Sequence, residues 1–259
     1  MDARSQQVDV AIVGGGMVGA SLAAALAGSG LKVLLAESVP FGERSQPSFD
    51  ERTTALGNAS RRIFAALGAW ESIAPQACAI RTIHVSEAGR FGVARLRAAE
   101  QGIDAFGYVA ANRAIGAALW ARIVAAPGLL LRVPARVAEV AIGADAVRLV
   151  LASEEHAHEA VSARLVVAAD GAHSQIRAAA GIAADVEDYG QVAVVANVAA
   201  DRPHDCTAYE RFTSGGPLAL LPLHDGSYAV IRACPPQRAQ ELLDLTDAAW
   251  LADLQELFG

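Results

Sequence analysis

The sequence predicts an α/β protein in which a Rossmann-like domain is interleaved with a β-rich domain. Three observations lead to this fold class. A β-branched strand at residues 8–13 runs into a glycine-rich turn and an alanine-rich helix. A near-continuous apolar run at residues 164–169 is typical of a parallel strand covered on both faces. Short alternating strands fill much of the remaining chain, which indicates a second domain rich in β-structure.

The turn after the first strand carries three glycines with defined spacing. Gly14, Gly16 and Gly19 stand at the G-x-G-x-x-G positions. We expect the first glycine to permit a tight turn, the second to admit a pyrophosphate, and the third to let the helix pack closely on the strand. The N-terminus of the following helix would then offer free N–H groups to the phosphates.

A second buried strand, residues 32–36, ends at Glu37. An acid about 20 residues beyond such glycines can accept both hydroxyls of an adenosine ribose. An acidic rather than a basic residue argues against a 2′-phosphate. This context favours a dinucleotide site, and the alternative is a glycine-rich βαβ turn that binds no ligand.

The next part of the chain predicts a polar loop, two helices and a strand pair. Proline, glycine and serine interrupt any periodicity at residues 40–52. A helix follows at residues 58–67, and strands at 81–87 and 93–96 are expected to pair. Asn112 is the expected N-cap of a helix that continues through Val124.

Four short strands then suggest a meander inserted before the later parallel strand, with a hairpin turn at residues 143–145. They are residues 129–132, 136–142, 147–152 and 160–161.

The apolar strand 164–169 ends in Asp170-Gly171, at the sheet edge where ligands lie in open α/β folds. Ser174 is the expected cap of a short helix that Gly181 ends, and Arg177 follows one turn later. The alternative to a binding role is a capped helix with a surface ion pair.

The remaining chain predicts antiparallel strands followed by a helix at residues 247–258. The strands are residues 191–198, 206–212, 217–223 and 227–233. We therefore assign residues 1–79 and 98–188 to a discontinuous nucleotide-binding domain. Residues 80–97 and 189–259 are assigned to the β-rich domain.

Composition excludes several classes of function. The 259-residue chain is 53% hydrophobic with a formal net charge of −7, which argues against nucleic acid and against electrostatic binding to anionic lipid. The polar N-terminus lacks a signal-peptide pattern, and the apolar runs are too short to span a bilayer. These features predict a cytoplasmic protein.

The cysteines and histidines do not suggest a metal site. Cys78, Cys206 and Cys234 are isolated in the sequence and lack C-x-x-C spacing, so we expect reduced thiols and no structural zinc. His156 and His158 form an H-x-H in an acidic stretch, which favours a solvated hairpin tip over a metal site.

Together these motifs resemble the group A flavoprotein aromatic hydroxylases, and within them the ubiquinone-biosynthesis branch. The resemblance implies a fold like that of para-hydroxybenzoate hydroxylase, with an FAD-binding domain and an interleaved β-rich substrate domain. It extends over essentially the whole chain, and residues 191–198 and 210–222 carry the branch-specific part. The matching segments are residues 9–19, 49–56, 82–86, 168–174, 189–198 and 210–223.

The resemblance also implies particular FAD contacts. The glycines would hold the pyrophosphate, Glu37 the adenosine ribose and Arg52 the flavin side of the pyrophosphate. Solvated arginines are the alternative for Arg52 and Arg113. Asp170 and its loop would serve both FAD and an incoming nicotinamide nucleotide. The implied cofactor-binding residues are Gly14, Gly16, Gly19, Glu37, Arg52, Arg113, Asp170 and Gly171.

The implied activity is hydroxylation of a polyprenylated phenol, with NAD(P)H as a transient reductant and O₂ reacting through a flavin C4a-hydroperoxide. No residue stands out as a catalytic base, and His224 fits a turn before Asp225-Gly226 better than a catalytic role. The resemblance also implies other ubiquinone-biosynthesis proteins and a second copy of the chain as partners. Through its substrate or these partners, the protein would lie at the periphery of the inner membrane.

The third motif of these enzymes is absent from the 259 residues, so we expect the chain to correspond to their N-terminal two-thirds, with both domains incomplete. Two alternatives stay open: a catalytically idle flavin-binding scaffold subunit, and an NAD-dependent dehydrogenase. The meander and the strand-rich C-terminal part disfavour the dehydrogenase.

Overall fold

A computed structural model describes residues 5–41, 52–153 and 158–258. The chain divides into two compact units. The first comprises residues 1–51, 63–73 and 111–185, and the second comprises residues 52–62, 74–110 and 186–259.

The first unit contains a six-stranded mixed sheet. Its strands are β1 (Gln6–Val13), β2 (Val33–Ala36), β8 (Leu129–Arg132), β9 (Arg136–Ile142), β10 (Val147–Ala152) and β11 (Glu159–Ala168). They are ordered β8-β2-β1-β11-β10-β9. The first four of these run parallel, and β10 is antiparallel to both of its neighbours. The predicted α/β fold class is confirmed.

The helices of the first unit connect and flank this sheet. They are α1 (Met17–Leu26), α3 (Trp70–Ile73), α4 (Asn112–Val124) and α5 (Gln175–Ala179). A further helix, α2 (Asn58–Ala66), contains the boundary between the two units. The β1–α1–β2 order confirms the predicted Rossmann-like beginning, with α1 starting at Met17.

Two details of the predicted meander are wrong. Residues 129–132 form β8, which pairs in parallel with β2 at the edge of the sheet. The predicted strands at 160–161 and 164–169 are one strand, because β11 pairs antiparallel with β10 in its first half and parallel with β1 along most of its length. The predicted turn at residues 143–145 is confirmed by the hydrogen bond from Gly143 N–H to the Ala146 carbonyl, 3.0 Å long.

One apolar core joins the parallel and antiparallel strands of the first unit. Ala11 and Leu34 come from the parallel part, and Leu149 and Val161 come from the antiparallel part and the long strand. All four are fully buried. Arg132 also donates hydrogen bonds to Glu159, which ties the end of β8 to the start of β11.

The second unit contains a six-stranded and a three-stranded sheet. Its strands are β3 (Thr53–Gly57), β4 (Ala77–Ile80), β5 (Thr82–Glu87), β6 (Val93–Arg97), β7 (Gly107–Ala111), β12 (Val192–Val198), β13 (Thr207–Thr213), β14 (Gly216–Pro222) and β15 (Tyr228–Cys234). The larger sheet has the order β12-β15-β14-β13-β5-β6, and the smaller one has the order β3-β7-β4.

The predicted antiparallel strands of this unit are confirmed, with one long-range exception. Strand β13 pairs in parallel with β5, in the register Thr207↔Thr82. Four segments that were assigned to the nucleotide-binding domain lie in the second unit, namely residues 52–62, 74–79, 98–110 and 186–188. Part of the reason is the three-stranded sheet, in which β7 pairs with β4.

Two helices complete the second unit, α6 (Pro236–Leu243) and α7 (Asp247–Phe258). The bounds of α7 agree with the prediction, and Leu254 packs with Leu218 and Val230 of the larger sheet. Asp253 accepts hydrogen bonds from Arg232 and Arg238, which fixes α7 against β15 and α6. No helix in the described part of the chain combines the length and the apolar character needed to cross a membrane.

Candidate cofactor-binding site

The glycine turn has the close packing that the sequence predicted. Gly14 adopts a φ of +101°, and a Cβ there would lie 2.2 Å from the Ala169 carbonyl oxygen. A Cβ at Gly19 would lie 1.9 Å from the carbonyl oxygen of Gly14. Neither position accepts any side chain, so the first glycine makes the turn and the third brings α1 onto it. Both predicted conformational roles are confirmed.

Gly15 is a further required glycine, which the spacing motif does not include. Its Cβ would lie 2.8 Å from the indole ring of Trp120. Trp120, which is only 2% exposed, donates from Nε1 to the Gly15 carbonyl oxygen at 3.1 Å. A tryptophan inside an apolar helix reads as an ordinary core residue in the sequence, so nothing there predicts this contact with the turn.

Unlike Gly14, Gly16 has a backbone conformation that does not require glycine. It is the N-cap of α1, with φ −63° and ψ −178°, a conformation open to any residue. No side chain among the described residues caps α1, and its first turn contains no acid. The first N–H groups of a helix have no partner within the helix, so α1 presents donors and the positive end of its dipole beside a glycine without a side chain.

The carboxylate of Glu37 holds this turn in place. Its Oε2 accepts the Gly15 N–H at 2.6 Å, and its Oε1 accepts the Val39 N–H at 2.8 Å and the Ser38 hydroxyl at 3.2 Å. Glu37 is 8% exposed, so these bonds also satisfy a charge that is largely removed from water. The residue therefore has a structural role that the sequence analysis did not anticipate.

The predicted elements of the site meet at one edge of the parallel sheet. Val13 is paired with Ala36 on one side and with Ala168 on the other. The residues that directly follow these three strand positions are Gly14, Glu37 and Ala169. The glycine turn, the acid and the start of the Asp170 loop are thus side by side, as expected for the carboxyl ends of parallel strands.

Asp170 and Ser174 cap helix α5. Asp170 Oδ1 accepts the Ser174 hydroxyl at 2.5 Å, and Oδ2 accepts the Gln175 N–H at 2.8 Å. Ser174 Oγ accepts the Arg177 N–H at 3.0 Å, which confirms the predicted cap. The Arg177 side chain donates to the Ala172 carbonyl. This geometry matches the cap of the alternative interpretation but not its ion pair, because Arg177 and Asp170 form no salt bridge in the described part of the chain. The FAD contact of Asp170 stays a prediction.

The other predicted cofactor residues are exposed and lie in different elements. Gly171 adopts a φ of +88° in the loop before α5. Arg113 is in the first turn of α4, in the first unit, and Arg52 directly precedes β3 in the second unit. The family-like residues 49–51 lie outside the described residues. Asn112, predicted as an N-cap, is instead the first residue of α4, because Ala111 has the extended backbone of the cap position.

Two sequence predictions concern histidines. His224 lies within a turn that is closed by the Gly226 N–H to the Leu223 carbonyl at 3.2 Å, in agreement with its expected role. His158 is exposed and directly precedes β11, and His156 lies outside the described residues.

Two of the three cysteines, Cys78 and Cys206, lie close together in the folded chain. The ligand atoms of Cys78, His204 and Cys206 all lie within 4.8 Å of one another. Burial and the neighbouring Cys206 raise the pKa of the Cys78 thiol to about 12. All three cysteines are free, as expected for reduced thiols. Nothing in the sequence indicates that Cys78 and Cys206 lie close together, because β4 and the segment before β13 come together only in the folded unit.

The comparison with known families establishes the class. Residues 7–259 match the FAD binding domain family, and the chain belongs to that family. FAD, the cofactor that the resemblance predicted, is therefore confirmed as the cofactor of its family.

Two relatives of known activity are both hydroxylases of ubiquinone biosynthesis. The chain is 33% identical over 258 residues to the 3-demethoxyubiquinol 3-hydroxylase of Escherichia coli (strain K12), covering 98% of this chain and 64% of that protein. It is also 33% identical over 252 residues to the ubiquinone hydroxylase UbiL of Rhodospirillum rubrum, covering 97% and 57%. The resemblance to ubiquinone-biosynthesis hydroxylases is confirmed, and the chain spans less than two thirds of either relative.

A solved structure supports the fold. The p-nitrophenol 4-monooxygenase PnpA of Pseudomonas putida DLL-E4 superposes with a TM-score of 0.76, covering 98% of this chain and 62% of that structure. Its sequence is 21% identical, so this likeness concerns the fold alone.

Proposed function

We propose that this chain forms the FAD-binding part of a monooxygenase that hydroxylates a polyprenylated phenol in ubiquinone biosynthesis, with NAD(P)H and O₂ as co-substrates. The observation that carries the proposal is the glycine turn itself. Glu37 and Trp120 fix it from two sides, and it leaves the start of α1 without a side-chain cap among the described residues. The 33% identity to ubiquinone-biosynthesis hydroxylases supports the reaction and the substrate class.

The residues of the turn divide the binding of FAD between them. The free N–H groups at the start of α1 would bind the pyrophosphate, and Gly16 would let its oxygens approach the backbone. Glu37 would accept a ribose hydroxyl. A carboxylate accepts roughly four hydrogen bonds, and three are already made within the chain. We therefore expect Glu37 to accept one ribose hydroxyl rather than both.

Bound FAD would supply electron transfer from NAD(P)H and the activation of O₂. The first unit would fix the dinucleotide at the carboxyl edge of its parallel sheet. The second unit would contribute to the substrate-binding part, because its sequence carries the branch-specific segments 191–198 and 210–222.

The test has two stages. FAD is first titrated into the purified chain, followed by quenching of flavin fluorescence, and saturable binding of one FAD per chain is expected. NAD(P)H oxidation and phenol hydroxylation are then measured with a short-chain prenylphenol, on a form of the chain extended by the third motif of the family. A product that appears in step with NAD(P)H consumption in the extended form supports the proposal. Absence of FAD binding by the chain, or NAD(P)H oxidation by the extended form that yields no hydroxylated phenol, would contradict it.

A further inference from the structure

A cluster of two thiols and an imidazole lies in the second unit, in elements that the flavin proposal does not use. Cys78 is in β4 and is buried, while His204 and Cys206 are half-buried just before β13. Strand pairing brings the segments together, because the Cys206 carbonyl accepts the Arg81 N–H at 2.8 Å. The three ligand atoms lie within 4.8 Å of one another.

The His204 ring is oriented by two backbone groups. Nε2 is 2.8 Å from the Leu223 carbonyl oxygen, and Nδ1 is 3.0 Å from the Cys206 N–H. A carbonyl can only accept and an N–H can only donate, so Nε2 carries the proton and the Nδ1 lone pair faces the Cys206 segment. A ring N–H that donates to a backbone carbonyl is the usual support of a metal-binding histidine.

The backbone that carries Cys206 is strained. Asp205 and Cys206 adopt φ values of +46° and +55°, and they are the non-glycine residues with positive φ in the described chain. Such conformations are energetically unfavourable for residues with a side chain, and they cluster at ligand sites. Here they form a tight turn, closed by the Thr207 N–H to the His204 carbonyl at 2.8 Å. The turn brings the Cys206 side chain back toward His204 and Cys78.

We propose that Cys78, His204 and Cys206 form a binding site for one zinc ion. Two thiolates and the Nδ1 atom of His204 would coordinate it, with water in the fourth position. Sulfur and imidazole donors select zinc over magnesium and calcium, which prefer oxygen. Binding replaces two S–H protons with the metal and releases both to solvent, and Nδ1 exchanges the Cys206 N–H for the ion.

The spacing suits this ion. Zn–S bonds of about 2.3 Å and Zn–N bonds of about 2.0–2.1 Å place tetrahedral donors roughly 3.5–3.8 Å apart. Donors that lie within 4.8 Å of one another must therefore approach each other by no more than about 1.3 Å. The bound ion would fasten β4 to the turn before β13, segments that are far apart in the sequence.

Cobalt is the probe for the experiment, because Co²⁺ occupies zinc sites and its spectrum reports thiolate ligands. The reduced full chain is titrated with Co²⁺. We expect one ion per chain, with a thiolate-to-cobalt charge-transfer band, the visible bands of tetrahedral cobalt, and displacement by one equivalent of Zn²⁺. Cys78→Ala and Cys206→Ala should each weaken binding by at least about 100-fold, and His204→Gln by at least about 10-fold.

Cys234→Ala is the matched control. Cys234 is also a buried thiol of the second unit, but it packs against Ala239 and Leu242 rather than the cluster. Its variant should bind Co²⁺ as the parent does. Because a cluster variant can fail to fold, proton release is measured on the parent chain as well, and about two protons per Zn²⁺ are expected. Absence of the charge-transfer band in the parent, or an unchanged band in Cys78→Ala, would overturn the zinc site.

Discussion

Replacing Glu37 with glutamine tests how the glycine turn is held. The substitution keeps the size and shape of the side chain but removes the charge and one acceptor oxygen. Glu37 now accepts the Gly15 N–H on one oxygen and the Val39 N–H on the other. A glutamine oxygen can take only one of these two, and its NH₂ group would face the other N–H, donor against donor.

The magnitude follows from this mismatch. Glu37 is 8% exposed, so an N–H left without a partner there is largely shielded from water. A buried unsatisfied donor costs about 1–3 kcal/mol, and we expect the free energy of unfolding to fall by that amount. FAD affinity should fall by about tenfold to a hundredfold, because the turn that positions the pyrophosphate is no longer fixed; this equals about 1.4–2.8 kcal/mol.

The two quantities are measured by urea denaturation and by quenching of flavin fluorescence. Glu139→Gln is the control, since Glu139 is an exposed residue of β9 in the same unit and its change should stay within about 0.5 kcal/mol. If Glu37→Gln matches this control in both assays, the turn does not depend on the carboxylate and our reasoning is refuted.

Three further substitutions test the packing around the turn and the α5 cap. Gly19→Ala places a Cβ 1.9 Å from a backbone carbonyl oxygen and should lower the free energy of unfolding by at least about 2 kcal/mol, measured by urea denaturation. Gly57→Ala is the control: its Cβ would have no atom within 4 Å, so the free energy of unfolding should fall far less. Trp120→Phe removes the indole bond to Gly15 and should cost about 1–3 kcal/mol; a change below 0.5 kcal/mol would show that this bond is unimportant. Ser174→Ala removes the side-chain cap of α5 and should cost about 0.5–2 kcal/mol by thermal unfolding, and an unchanged Tm would contradict that role.

Local patterns predicted the elements whose signals lie within a few consecutive residues. The strand, glycine turn and helix at Gly14–Gly19 follow from apolar runs and from steric rules for glycine, and the structure agrees with them. The cap at Ser174 and the helix 247–258 are local in the same sense. The sequence identified Glu37 from its distance along the chain to the glycines. Its hydrogen bond with the Gly15 N–H could be seen only in the folded turn.

The features that sequence reasoning missed depend on pairing between distant segments. Residues 129–132 are apolar in either a meander or a parallel edge strand, so the run alone cannot show that β8 joins β2. The parallel pairing of β13 with β5 has no local signature either. The same holds for Cys78 and Cys206, whose thiols meet because that pairing brings Arg81 against the Cys206 backbone.

The central claim is that the start of α1 binds the pyrophosphate of FAD, and Gly16→Val tests it most directly. The backbone of Gly16, with φ −63° and ψ −178°, is open to valine, so the fold should survive while the new side chain occupies the space of the phosphates. The measurement is FAD affinity by fluorescence titration, on parent and variant chains with matching circular dichroism spectra. We predict saturable binding by the parent and none by the variant. A folded Gly16→Val chain that binds FAD as tightly as the parent would contradict the assignment of the site.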